Sequence, residues 1–253
     1  MSSRLWSVVL GPMRREANVA DQAAPRLLIL ETSGRAGQVA LARGESVLDL
    51  RRLDEARRHA RDLAPAVAAL LEAQGWKPRE LDGVIVSRGP GSYTGLRVGI
   101  MSAKVFAYAT GCALIAVDTF AAIAQQAPAR ASRVAVLADA QQGRVYVQEY
   151  ARTGAGTALL AVTPLAIRQF GEWLASVDPE VWLSGPGLLV HGDERPATSP
   201  VVDQTDWEPR PESLLHLGLA RYRAGERDDS WSLEPLYLRP SSAEEKWDQR
   251  SSR

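Results

Sequence analysis

Four glycines spaced through Ser87–Ile100 (SRGPGSYTGLRVGI), with hydroxyls at Ser92 and Thr94, are the residues whose types and spacing come nearest to a reactive or ligand-holding loop. A glycine-rich loop opening a helix can present backbone N–H groups to a phosphate, and a serine on a sharp strand-to-helix turn can act as a nucleophile. Each template was tested in turn. A Walker loop needs Lys-Ser/Thr after its last glycine, but Gly95 is followed by Leu96-Arg97. The glycines do not fit Gly-x-Gly-x-x-Gly at the helix start. A hydrolase elbow needs Gly-x-Ser-x-Gly, and in Gly91-Ser92-Tyr93-Thr94-Gly95 the serine comes one place early.

Metal and nucleophile chemistry have no stronger basis. His59, His191 and His216 stand apart, without the i, i+4 pairing that sets two ligands on one helical face. His59 reads as a helix-start residue and His216 as boundary packing. Cys112, the single cysteine, lies between a helix end and an apolar strand and reads as a small buried hydrophobe. No Ser–His–Asp or Cys–His set is suggested.

The elements that must position the loop are clearer. Leu27–Leu30 is a buried-strand run ending in the turn Glu31-Thr32-Ser33-Gly34. Residues 38–43 and 46–52 form a hairpin across Gly44-Glu45. The spacing of Leu63, Val67, Leu70 and Leu71 predicts an amphipathic helix over 59–74, closed by Gly75. Val84–Val86 is a buried strand, the glycine loop follows, and a helix runs from about Thr94 to Thr110. Ala113–Val117 is the next strand. The order β-β-β-α-β-α then recurs: strands at 133–138 and 144–150, a third at 157–162, a helix at 164–175, a strand at 181–183, a loop over 192–210 and a helix at 211–224. Two copies of one topology predict a duplicated α/β fold joined near 125–132.

Within the second helix, Gly95, Gly99, Ala103, Ala107 and Gly111 recur at i+4 as a stripe of small residues. Such a stripe lets another element approach closely, and it serves either the chain's own sheet or a partner. Ser92 and Thr94 suit the N-cap, so the loop can start this helix rather than hold a ligand.

The totals narrow the function classes. The chain has 253 residues, 30 basic and 30 acidic, with pI ≈ 6.9, so no global charge attracts nucleic acid or an anionic membrane. One cysteine permits no internal disulfide. No apolar run reaches bilayer length, and Leu5–Leu10 is too short for a signal-peptide core. These features point to the cytoplasm. Regular patterning begins near Leu27, so residues 1–25 read as a disordered extension or a misassigned start, with Met13 an alternative.

With these residues in hand, the sequence resembles the bacterial TsaB (YeaZ) family. The resemblance rests on Glu31-Thr32-Ser33, on Arg58-His59 with Leu63 and Pro65, and on the run Arg88 to Arg97. It also rests on Asp139-Ala140 with Gly143 and Val145-Tyr146, and on Glu234-Pro235-Leu236-Tyr237-Leu238-Arg239. It covers most of 27–150 and weakens between 151 and 230. It implies an actin-like ATPase (ASKHA) fold of two ribonuclease-H-like subdomains, with the first at 26–128, a more divergent second at 129–240 and a polar tail at 241–253.

The resemblance further implies a non-catalytic accessory subunit in the making of threonylcarbamoyladenosine in tRNA. Its partners would be the metal-dependent TsaD-type transferase and a TsaE-type ATPase, with tRNA reached only through the complex. Metal and ATP would belong to those partners, and the chain would carry no cofactor of its own. Glu31, Thr32, Ser33 and Asp139 would be vestiges of phosphate turns. The partner surface, shared with a possible homodimer, would comprise Leu63, Val67, Leu70, Leu71, Gly95, Leu96, Gly99, Ile100, Ala103, Phe106 and Ala107. Gly89, Pro90, Gly91, Ser92, Tyr93 and Thr94 would position its helix.

Five positions depart from the family pattern. Glu31 replaces the usual Asp, Ala60-Arg61 replaces Ser-Glu, and Gln141 and Arg144 replace Arg and Glu. Ser184-Gly185-Pro186-Gly187 resembles a vestigial adenosine loop or a plain strand-ending turn. The alternatives are a peptidase-like or nucleotide-hydrolysing enzyme, or a stand-alone homodimeric scaffold.

Overall fold

The computed structural model describes residues 24–53, 59–152 and 158–238. The expected extension at the start, Arg58, Arg239 and the polar tail lie outside the described residues, apart from Ala24 and Pro25.

The first half forms a five-stranded sheet in the order β3-β2-β1-β4-β5. Its strands are β1 (Arg26–Glu31), β2 (Gln38–Arg43), β3 (Ser46–Arg52), β4 (Gly83–Gly89) and β5 (Ala113–Asp118). β1, β2 and β3 pair antiparallel, while β4 and β5 run parallel to β1. The central strands are covered on both faces and so read as continuous apolar runs. At the edge, β3 exposes Leu48, Leu50, Arg51 and Arg52. α1 (His59–Ala73) and α2 (Tyr93–Thr110) cover one face, Leu63, Leu70 and Leu71 of α1 and Ile100, Ala103 and Ala107 of α2 joining Leu28, Leu30, Val84 and Val86.

The second half repeats the plan. β6 (Arg133–Asp139) and β7 (Arg144–Arg152) pair antiparallel, and β10 (Trp182–Ser184) runs parallel to β6. β8 (Leu159–Ala161) and β9 (Ala166–Gln169) share the third-strand place on β7, and a parallel bridge from Leu183 to Val201 marks the fifth. The helix expected over 164–175 is therefore corrected: it opens as β9 and becomes helical only in α4 (Phe170–Ser176). The nine-residue β7 is paired by β8 only at Tyr150–Arg152, which leaves Arg144–Val147 needing backbone partners, and strand pairing there overrides the local helical pattern. The third strand is likewise shorter than 157–162. Two helices were not anticipated, α3 (Thr119–Ala124) and α5 (Leu188–His191).

The halves are locked by an exchange. α3 follows the first sheet but packs Phe120 and Ile123 with Val134, Val136 and Tyr150 of the second. α6 (Pro211–Arg223) follows the second sheet but packs Leu214, Leu215 and Leu219 against Leu27, Ile29, Ile85 and Ile115 of the first. Gly218 permits this approach, because a Cβ there would lie 2.6 Å from Ile85 Cδ1. Among the described residues no helix is long and apolar enough to cross a membrane.

Candidate functional site

The glycine loop does start α2. The Ser92 hydroxyl accepts from the Gly95 N–H at 3.2 Å as N-cap, and Gly111, at φ +75°, ends the helix. The Ser92 N–H also donates to the Ser33 carbonyl at 2.8 Å, and a Cβ on Gly91 would lie 2.6 Å from that oxygen. The loop is thereby held against the Glu31–Ser33 turn.

The small-residue stripe packs on the same turn. A Cβ on Gly95 would collide with the Thr32 carbonyl, and one on Gly99 with the Thr32 hydroxyl. Leu96, Ile100, Ala103, Ala107, Leu63, Val67, Leu70 and Leu71 are buried, and Phe106 is half-buried against the same core. The expected partner surface is corrected accordingly: these side chains form the chain's own interior. The period was read rightly, but it marked the inward face. The outward face of α2 carries Arg97, Met101, Val105 and Tyr108, with Met101 61% and Tyr108 76% exposed. Beside it, α1 exposes Ala64, Pro65 and Ala68.

The turn at the end of β1 is closed by its own side chain. Glu31 is fully buried, and its Oε1 accepts from the Ser33 N–H and hydroxyl, each at 2.5 Å, and from the Gly34 N–H at 3.2 Å. Burial pushes its carboxyl up to about 7, against the lowering pull of the Ser33 and Ser87 hydroxyls and the turn amides. Oε2 and the Thr32 hydroxyl are buried without a hydrogen-bond partner. The Glu208 carboxylate presses on Gly34, and burial raises its pKa despite nearby Arg35. The Ser33 and Gly34 amides of this turn are thus occupied by Glu31, and the carboxyl groups of Glu31 and Glu208 border it.

Across a cleft of about 820 Å³ lined by Ser33, Ser92, Thr94 and Tyr146, Asp139 ends β6 and accepts from the Gln141 N–H at 2.8 Å. Gln141 and Gln142 turn the chain at φ 63° and 58°. His191 Nε2 lies 3.5 Å from Asp139 Oδ1, and its Nδ1 lies 2.9 Å from Glu194 Oε1, with the ring stacked on Phe170. Sequence spacing gave no sign of this trio, since it joins the end of β6 to the end of α5 and the turn after it. His216 is exposed, which corrects the boundary-packing expectation. Cys112 is half-buried, and burial raises its thiol pKa. Ser184–Gly187 turns tightly against β6, the Gly187 N–H donating to the Leu137 carbonyl.

The last described segment returns to the loop. The Leu236 N–H donates to the Arg88 carbonyl at 2.8 Å, and Tyr237 stacks on Tyr93 while accepting from Arg97 Nε at 3.1 Å. This accounts for the C-terminal motif read in the sequence.

Two interlocked sheets of β3-β2-β1-β4-β5 type, with paired turns facing one cleft, define an actin-like ATPase fold. The family described as TsaD, tRNA N6-adenosine threonylcarbamoyltransferase, matches residues 53–179, half of the chain. The chain is 27% identical over 226 residues to the tRNA threonylcarbamoyladenosine biosynthesis protein TsaB of Bacillus subtilis, covering 87% of this chain and 97% of that protein. With the Escherichia coli protein of the same name it shares 34% over 129 residues, 50% of this chain and 55% of the other. The solved structure of YeaZ from Pseudomonas aeruginosa superposes with a TM-score of 0.71 at 28% identity, covering 85% of this chain and all of that one. The chain belongs to the TsaB (YeaZ) family within that wider threonylcarbamoyltransferase group.

Proposed function

We propose that this chain is an accessory subunit of the threonylcarbamoyl transfer machinery that docks a TsaD-type transferase through the outer face of α1 and α2 and performs no chemistry itself. Family membership ties it to tRNA threonylcarbamoyladenosine biosynthesis. The observation that carries the docking role is the exposed apolar line Met101–Val105–Tyr108 on a helix whose opposite face is fully committed to the core. Exposed aliphatic and aromatic side chains at helical spacing are the material of a helix-to-helix contact.

Charge favours the transferase over a second copy. α2 holds Arg97 and Lys104 and no acidic residue, so a contact of α2 with α2 would bring like charges together. A transferase face offering carboxylates would complement them. Closure of the Glu31 turn supports leaving ATP and metal to the partner subunits, including the TsaE-type ATPase. The neutral charge balance supports tRNA contact only through the complex.

The test is Met101→Asp, examined by light scattering and calorimetric titration against the transferase from the same source. A charge buried without a partner should weaken the mixed complex on the order of 100-fold. Unfolding should be unchanged, because the side chain is solvent-exposed. A variant that binds as tightly as the wild type overturns the docking face.

A further inference from the structure

After α6 the chain does not return to its own half. Asp228 crosses to the open edge of β5, where its N–H donates to the Leu114 carbonyl and its Oδ2 accepts from the Ala116 N–H at 2.7 Å. From there residues 228–238 run antiparallel to α2 along its flank. Trp231 meets Tyr108, the Lys104 ammonium donates to the Leu233 carbonyl at 2.9 Å, and Tyr237 meets Tyr93 and Arg97. Leu233 is buried in the cluster under α2 and pins the middle of this strap.

Trp231 is held in the open by this framework. It is 82% exposed, yet its backbone is fixed: Asp229 Oδ1 accepts from the Trp231 and Ser232 N–H groups at 2.8 and 2.9 Å, and Leu233 N–H returns to the Asp229 carbonyl. Its ring stands edge-on to Tyr108 with centroids 6.1 Å apart. A large ring kept in water by a turn of this kind gains nothing for folding. Held in place beforehand, it loses little freedom when a partner covers it, and tryptophan and tyrosine are the side chains on which binding energy concentrates.

We propose that Trp231 and Tyr108 form an aromatic ledge that extends the partner surface from α2 onto the C-terminal strap, and that its occupant is the transferase subunit. The inference rests on the docking reading above. It adds a recognition element outside residues 53–179, the part of the chain matched by the transferase family. The ledge begins at Tyr108, the last residue of the line Met101–Val105–Tyr108 on α2, and passes to Trp231 on the strap. Beside the ledge, Lys104 donates to the Trp231 and Leu233 carbonyls and Asp229 caps the turn that holds Trp231, so the choice of the transferase over a second copy rests on continuity with the α2 face.

The experiment measures the affinity of the full chain for the transferase with Trp231→Ala and Met101→Asp in parallel, together with the self-association and unfolding temperature of each. Trp231→Ala should leave unfolding unchanged and weaken the mixed complex at least tenfold, with Trp231→Phe recovering part of the loss. Wild-type affinity for Trp231→Ala, with Met101→Asp binding lost, overturns the ledge and leaves the helix face standing. Wild-type affinity for both overturns the helix face as well. Loss of a self-dimer by Trp231→Ala, with the mixed complex intact, overturns the choice of occupant.

Discussion

Replacing Gly99 by alanine discriminates the inward from the outward assignment of the α2 stripe by the sign of one number. In an exposed helix interior, alanine is favoured over glycine by about 1 kcal/mol. Here the added methyl would lie closer than 3.0 Å to the Thr32 hydroxyl oxygen, and Thr32 Cβ and Cγ2 stand at 3.3 and 3.4 Å. Turning the Thr32 side chain relieves the oxygen but not Cβ, which belongs to a turn already fixed by Glu31 and Ser92. Overpacking of this kind costs about 1–3 kcal/mol, which cancels or exceeds the propensity gain. Gly99→Ala should therefore lower stability, by up to about 2 kcal/mol in urea unfolding, with no direct effect on the partner face. Thr32→Ala removes the unpartnered hydroxyl and should be mild alone, and in that background Gly99→Ala should cost much less. A coupling of about 1–2 kcal/mol between the two sites is expected. A Gly99→Ala protein more stable than wild type, with no coupling to Thr32, would refute the packing account and return the stripe to the surface.

Two further perturbations report on the turn and on the strap. Because Glu31 holds its proton more tightly when folded, near 7 against 4.5, its contribution to stability is complete below pH 4.5 and is lost as pH rises through 7; this amounts to about 3 kcal/mol. Glu31→Gln should flatten that loss in thermal unfolding between pH 5 and 8, and identical pH profiles for the two proteins would contradict it. Asp228→Ala orphans the Ala116 N–H on the edge of β5 and removes an acceptor of Arg221 at 3.1 Å. It should cost about 1–3 kcal/mol, while Asp228→Asn, which keeps the acceptor, recovers most of it; equal losses for both in urea unfolding would show that the edge bond is not the cause.

The first sheet was legible because its strands are buried on both faces and its helices carry strong 3.6-residue periods. Leu63, Val67, Leu70 and Leu71 announce α1 without reference to anything distant. The second sheet was less legible because its elements are short and depend on pairing: β9 is a strand only because β7 leaves an edge beside it, and α5 is four residues long. In the site, residue identities were legible and their direction was not. Periodicity reports that Gly95, Gly99, Ala103 and Ala107 share a face, but not what that face meets. The answer lay in Thr32, some 60 positions away in the sequence, which no local pattern connects to α2. The outward residues Met101, Val105 and Tyr108 fell at the same period and were passed over, because small residues are the more familiar sign of close contact.

The inward seating of the small-residue stripe has its origin in the turn after β1. Glu31 reaches back to accept from the Ser33 and Gly34 amides, and the outer surface of the turn is the seat for Gly91, Gly95 and Gly99. The turn thus serves as a bearing for α2. Seating the helix that deeply leaves its far side as a fixed ridge, and the strap lies along it, with Leu233 pinned in the core and Tyr237 stacked on Tyr93. A rigid ridge loses little conformational freedom on association, so the packing that seats α2 on the turn also favours the docking face proposed above.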